Sequence, residues 1–324
     1  MRTGAVWRRV RFRRKRPLSS TLAIPEPRLS ARKCVTGESL AGWMLTAPAA
    51  LAFATMLLLP TIATIALAFT DYELGATGLS WIGLDNFAEL LHDRGFVIAL
   101  RNTILYVTIV APLSVLGGLA LALMIEAGTR GRALFRAVFF LPAVSLPVAM
   151  ASAWQYLLHP TIGPLNAALH AIGIDGPAWL SSSDTVLISL AAIGVWENLG
   201  FNLVLFLAGL TAIPRDLYAA AEVDGANNGW DRFRLVTWPL LGPTTLFVVT
   251  ITMTRAVRVF DSVAVLTQGG PNKASQVLLY AMYEEGFTYF RLGYSAAITL
   301  VFLVIVLALV WLQTKLLEKR VHYA

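Results

Sequence analysis

Few of the residues that ordinarily perform covalent chemistry occur here in a working pattern. The chain has 324 residues, with four histidines and one cysteine. His92, His159, His170 and His322 are scattered without metal-ligand spacing, and no HExxH, CxxC pair or GxSxG is present. Gly269-Gly270-Pro271-Asn272-Lys273 lacks the spacing and the strand–helix context of a phosphate loop. No catalytic residue, metal site or bound cofactor is expected, and ATP hydrolysis by this chain is not expected. Any uphill work must draw on an ion gradient or on another subunit. What remains is non-covalent: Glu197 with Asn198 and Asn202 in one apolar run, and Arg255, Arg258 and Asp261 spaced a helical turn apart. A carboxylate and amides can hydrogen-bond hydroxyls, and two guanidiniums can hold a carboxylate or phosphate bidentately.

The elements that carry these groups are set by hydropathy. Hydrophobic residues make up 57% of the chain, charged residues only 14%, and the mean hydropathy is +0.66. An average soluble domain carries roughly 25% charge, so a water-soluble globule is excluded. Residues 39–70, 102–125, 137–158, 185–214, 235–254 and 292–314 contain a single charge between them, Glu197. About 20 apolar residues at 1.5 Å rise cross the hydrocarbon core, and continuous rather than alternating apolarity indicates helices. Pro48, Pro60, Pro112, Pro142 and Pro147 fall inside these runs and are expected as tolerated kinks. The prediction is an all-α membrane protein with six transmembrane helices.

Lys and Arg counts orient it. The segment through Ala41 has eleven, and 126–136, 215–234 and the tail after Thr314 have three each; the alternate connections 71–101, 159–184 and 255–291 have two, none and four. The positive-inside rule places the first set in the cytoplasm, giving an N-in/C-in topology. Residues 1–40 read as a basic cytoplasmic segment and 41–324 as the membrane domain. The arginine cluster near the N-terminus is expected to be an anchor touching anionic lipid rather than a nucleic-acid arm, and no short apolar region with a small-residue cleavage site marks a signal peptide. Cys34 lies in this segment and has no internal disulfide partner.

Counted from Thr185, Glu197 lies about 18 Å into its span, near mid-membrane. An ionisable group there is a candidate for function, and Asn198 and Asn202 share a face beside it. The stripe reads either as a lining that binds hydroxyls or as interhelical glue. Arg255 and Arg258 either snorkel, with Arg258 paired to Asp261, or attract an anion.

Between the fourth and fifth runs the chain reads Ile213-Pro214-Arg215-Asp216-Leu217-Tyr218-Ala219-Ala220-Ala221-Glu222-Val223-Asp224-Gly225-Ala226, continuing through Phe233 to Pro239 and Pro243. Pro214 can open a short helix over Leu217 to Glu222, Gly225 breaks it, and Asp224 or Asn227 is expected to cap the next helical turn. The alanines give a low-relief face suited to docking in a groove; an ordinary surface helix fits the composition equally well.

This pattern resembles the cytoplasmic EAA loop of permease subunits from binding-protein-dependent ABC importers, in the branch for sugars, polyols and glycerol phosphate. The matching positions are Pro214, Tyr218, Ala220, Ala221, Asp224, Gly225, Ala226, Phe233, Pro239 and Pro243. The family glutamate falls on Ala219, and Glu222 one turn on is the candidate substitute. Val259-Phe260-Asp261, Val265 to Pro271, Gly293 to Ala297 and Ile82 to Phe87 resemble further blocks of the same branch.

The resemblance implies a type I ABC importer permease fold in the inner membrane of a prokaryote. It implies a second homologous permease completing the pore, two ATP-binding subunits holding ATP and Mg, and an extracytoplasmic solute-binding protein. The coupling loop 213–234 would be a lever carrying Asp216, Tyr218, Ala219, Ala220, Ala221, Glu222, Asp224, Gly225 and Ala226. The substrate path would include Glu197, Asn198, Asn202, Arg255, Arg258 and Asp261, and the two arginines suggest an anionic oligosaccharide or glycerol phosphate. The competing class, a secondary transporter, needs several intramembrane acids or paired broken helices in two repeats. One glutamate and no visible repeat weigh against it.

Overall fold

A computed structural model describes residues 37–128 and 131–318. The basic cluster and Cys34 lie outside the described residues. Among those residues the chain is helical with no strand, and a lone antiparallel bridge joins Thr70 to Trp81. It divides into two compact units, one ending at Ala54 and one beginning at Thr55.

The described part of the first unit is α1 (Gly37–Phe53), whose apolar side chains from Trp43 to Phe53 are exposed. The second unit begins in the π-helical segment Ala54–Leu58 and continues in α2 (Leu59–Leu67), α3 (Asp85–His92) and α4 (Arg94–Ala127). Next come α5 (Arg132–Val144), α6 (Pro147–Leu157), α7 (Pro164–Ala171) and α8 (Val186–Thr211). The chain proceeds through α9 (Arg215–Val223), α10 (Gly229–Arg232), α11 (Trp238–Leu240), α12 (Gly242–Val257), α13 (Asp261–Leu266), α14 (Leu278–Tyr283) and α15 (Leu292–Glu318).

Gly42–Leu67, Arg94–Ala127, Val186–Thr211 and Leu292–Lys315 are each long and apolar enough to cross a bilayer. The third run differs from the expectation of a merely kinked helix, and the fifth from that of a single spanning helix. Arg132–Val144 and Pro147–Leu157 meet at 102°, and Gly229–Leu240 and Gly242–Leu266 at 68°. The count is thus four, or six if each bent pair is one span. The first break is caused by Pro147: it forces Leu146 into an extended conformation (φ −68°, ψ 123°), Ser145 is extended too, and Pro147 opens α6 in the first-turn position proline favours. In the second, Pro239 and Pro243 flank the turn at Leu241, and Pro243 has no N–H to continue the ladder. Pro112, by contrast, sits inside an unbroken α4.

The long helices α4 and α8 form the centre of the second unit. Tyr106, Val107 and Val110 of α4 pack with Val186, Leu190 and Ala191 of α8 and Ala256 and Val257 of α12. One end of the same helices buries Leu119, Ala122, Leu203, Phe206 and Leu207 with Leu241 and Val248. A third cluster joins Phe96 and Ala99 of α4 to Leu278, Ala297 and Ile298. Three of the four family-like blocks are packing devices. Asn86 donates to the carbonyls of Ala68 and Thr70, each at 2.9 Å, and Gly293 donates to Tyr72 O at 2.8 Å. Asn102, inside α4, donates to the carbonyls of Lys273, Ala274 and Gln276, pinning the Gly-Gly-Pro loop.

At that end Asp93 caps α4, accepting from the N–H groups of Gly95 (2.7 Å) and Phe96 (3.3 Å) and from the Tyr294 hydroxyl (2.7 Å). Burial alone pushes its carboxyl up, but these bonds and the Lys273 ammonium prevail and hold it below the usual carboxylate range. Arg291 bridges Glu89 (2.5 Å) and Glu285 (3.4 Å). Burial raises Glu285 despite that arginine.

Candidate functional site

A cavity of about 300 Å³ opens between α4, the α5–α6 break, α8 and the α12–α13 junction. Glu197, Asn198, Arg255, Arg258 and Asp261 all line it. Glu197 and Arg255 face one another from α8 and α12 at 3.9 Å, and the Arg255 guanidinium lies 4.6 Å from the centre of the Phe201 ring. Arg258 ends α12 and is exposed. It makes no ion pair with Asp261, so the pairing that one of the two readings of these arginines requires does not form, and the ion pair present is Arg255–Glu197. The break at Val259 and Phe260 explains this, because Asp261 starts a new helix and is no longer one turn along the old one. Asn198 donates to Gly194 O (2.8 Å), while its buried Oδ1 lacks a protein partner.

Asn202 does not line the cavity. It is fully buried where α8 meets α4 and α12, and its Oδ1 accepts from Thr252 Oγ1 at 2.8 Å. Of the two readings of the polar stripe, interhelical glue describes Asn202 and a cavity lining describes Glu197 and Asn198.

Sequence reasoning missed the aromatic wall. Tyr106, Trp154 and Trp196 line the same cavity, the two indoles edge-to-face at 5.3 Å. Trp196 directly precedes Glu197, and that neighbourhood is the one signal in the sequence that flags it. Trp154 reaches the site only because the chain folds back at Ser145. Among the described residues, no group of three His, Cys, Asp or Glu side chains is placed to hold a metal ion.

The second feature is α9. Pro214 caps it in an extended conformation and Asp216 sits in the first turn, where a negative charge suits the helix dipole. Gly225 (φ +96°) ends it in a Schellman arrangement: its N–H donates to Glu222 O, and Ala226 N–H donates to Ala221 O at 2.9 Å. Ala226 is thereby buried. Tyr218 and Ala221 turn inward against the Leu203–Phe206 cluster, and the Tyr218 hydroxyl is 3.0 Å from Thr237 Oγ1. Asp216, Ala219, Ala220, Val223 and Asp224 face outward, Val223 being 89% exposed.

Two expectations on this segment change. The cap of the following turn is Asn228, which accepts from Asp231 N–H at 2.8 Å, rather than Asp224 or Asn227. Gly225 shifts the restart by one residue, and Asn228 takes the extended conformation a cap requires. Glu222 is engaged by Arg232 of its own chain at 3.3 Å, so it does not simply replace the charge absent at Ala219.

A bent helical bundle with a charged, aromatic cavity and an exposed capped helix has the parts of a membrane permease rather than of an enzyme. Residues 114–323 match the family described as binding-protein-dependent transport system inner membrane component, and the chain belongs to that family. The probable ABC transporter permease protein YurN of Bacillus subtilis is 36% identical over 270 residues, covering 82% of this chain and 92% of that one. The sn-glycerol-3-phosphate transport system permease protein UgpA of Agrobacterium fabrum is 35% identical over 253 residues, covering 76% and 85%. Among solved structures, a chain of a bacterial ABC transporter involved in import of the acidic polysaccharide alginate superposes with a TM-score of 0.77 at 24% identity, covering 87% of this chain and 98% of that one. The fold is that of a type I ABC permease.

Proposed function

We propose that this chain is one of two permease subunits of an ATP-driven importer for a carbohydrate, with an acidic glycan or a polyol phosphate as the favoured cargo. Each bent pair counts as one span, giving six spans with both ends in the cytoplasm. Residues 1–40 form a basic cytoplasmic segment and 41–324 the membrane domain. A second permease completes the path, an extracytoplasmic binding protein delivers the solute, and two ATPase subunits bind ATP and Mg²⁺. Arg255 and Arg258 at the cavity support the acidic cargo, as do the glycerol-phosphate and alginate systems named among the similar proteins.

The observation that carries the proposal is the continuity of α8. One unbroken helix runs from Glu197 at the cavity to Thr211, about 21 Å at helical rise, and α9 begins after three residues. Tyr218 and Ala221 clamp α9 to the bundle, so a push on its outer face is transmitted to the cavity wall as a rigid-body shift. Ala219, Ala220 and Val223 form the docking face. Ala219→Cys in the assembled complex is expected to crosslink to a cysteine in the ATPase groove, with an efficiency that changes on adding ATP. Efficient crosslinking instead to residues of an extracytoplasmic binding protein would overturn both the lever and the orientation.

A further inference from the structure

A file of aromatic rings leads out of the cavity. Phe260 lines the cavity itself. Tyr283 meets Phe260 edge-on, with centroids 5.4 Å apart and an interplanar angle of 70°. Phe287 stacks on Tyr283 at 5.5 Å and 26°. Tyr280 backs the file from beneath, 6.3 Å from Phe260 and 6.1 Å from Tyr283. Exposure rises outward, from 9% at Tyr280 to 41% at Tyr283 and 66% at Phe287.

The positions 280, 283 and 287 share one face because α14 passes without a break into the π-helical turn Glu284–Thr288. That turn is held from behind: Gln276 donates to Glu284 Oε2 at 2.6 Å, and Arg291 N–H donates to Glu285 O at 2.9 Å. The rings are therefore presented on a fixed support, with Arg258 and Asp261 at the inner end.

Aromatic faces are electron-rich and apolar, and they attract the C–H-bearing face of a pyranose ring while its hydroxyls stay wet. We propose that Phe287, Tyr283 and Phe260 form a stacking track that passes sugar rings from the outer surface into the cavity. The inference rests on the carbohydrate-importer reading and sharpens it, because a ringless polyol phosphate has no face to stack. The track reads ring shape and not charge, so the arginines supply the charge selection and the aromatics the selection for a glycan.

The test uses the complete transporter in detergent with maltotriose and with trimannuronate, read by saturation-transfer NMR. Both saccharides are expected to receive transfer at their C–H protons. Tyr283→Leu and Phe287→Leu, which keep apolar bulk, are expected to cut it about 3- to 10-fold each. Tyr283→Phe, which keeps the ring, is expected to retain it. No transfer to either saccharide, or equal transfer in the leucine variants, overturns the track and favours these rings as membrane-interface anchors. ATP-dependent uptake by the same preparation is scored separately: uptake of glycerol 3-phosphate with no saccharide contact would sink the track and leave the importer reading standing.

Discussion

Gly118→Ala is expected to strike the bundle harder than any change to the polar groups around it. Gly118 lies on α4 where α8 crosses, and a Cβ there would lie 2.7 Å from Asn202 Cβ, 3.1 Å from Leu203 N and 3.2 Å from Asn202 C. Carbon pairs rest at about 3.5–4.0 Å, so α4 and α8 must separate by roughly 1 Å. Two of the three obstructing atoms are backbone, which no rotamer change can relieve. Overpacking of this kind costs about 1–3 kcal/mol, or roughly 2–12 °C in Tm for a domain of this size. Asn202→Leu removes the Thr252 bond, which is worth about 0.6 kcal/mol between membrane helices, and also deletes an unpartnered amide nitrogen. Its effect should be near zero. Gly242→Ala, where nothing lies within 4 Å, is the control and should be neutral. Thermal unfolding of the purified protein in one detergent ranks the three. If Gly118→Ala melts with wild type, or Asn202→Leu melts below it, the account of the α4–α8–α12 junction is wrong.

The same geometry sets other outcomes. Asp93 titrates below the ordinary aspartate range, so its contribution to stability is complete above that range and is lost as pH falls through its folded value. Asp93→Ala should therefore cost about 1 kcal/mol near neutral pH, and the gap to wild type should close in acid when melts are compared across pH. Tyr218→Phe breaks the contact with Thr237 and should lower stability by about 0.5–1.5 kcal/mol, with a larger fractional loss of ATP-driven uptake than of folded protein on a sizing column. Arg258→Gln should weaken handling of acidic saccharides about 10-fold or more while sparing neutral ones, as competition uptake would report. Equal losses for both classes would remove charge selection from this residue.

The spans are legible in the sequence because a bilayer demands long apolar runs whatever the tertiary structure. Even so, the run at 137–158 reads as a kinked helix and that at 235–254 as a single one, and the structure bends both sharply. An apolar stretch looks alike whether it is crossed once or folded back, and only Leu146 before Pro147 and the Pro239–Pro243 pair hold the difference. The α9 segment is legible because its determinants are local: Pro214 starts it, Gly225 ends it, and Ala226 closes the cap. The cavity is half legible. Glu197 and Arg255 stand out as charges in apolar surroundings, yet their pairing at long range in the chain depends on how α8 and α12 meet. Trp154, Tyr106 and the Tyr283–Phe287 file are ordinary residues in sequence and acquire meaning only through packing. Asn202 falls at helical spacing from Asn198 and reads as part of the same stripe; the crossing of α4 at Gly118 turns one amide inward and leaves the other at the cavity.

On the proposed function this chain is a passive gate, driven by separate ATPases and fed by a separate binding protein. Proteoliposomes give the direct measurement: uptake of labelled saccharide by this permease with its partner permease, with and without the ATPase subunits, ATP and loaded binding protein. Uptake should appear only when all are present and vanish when any one is withheld. Concentrative uptake by this chain alone, driven by an imposed ion gradient, would contradict the account.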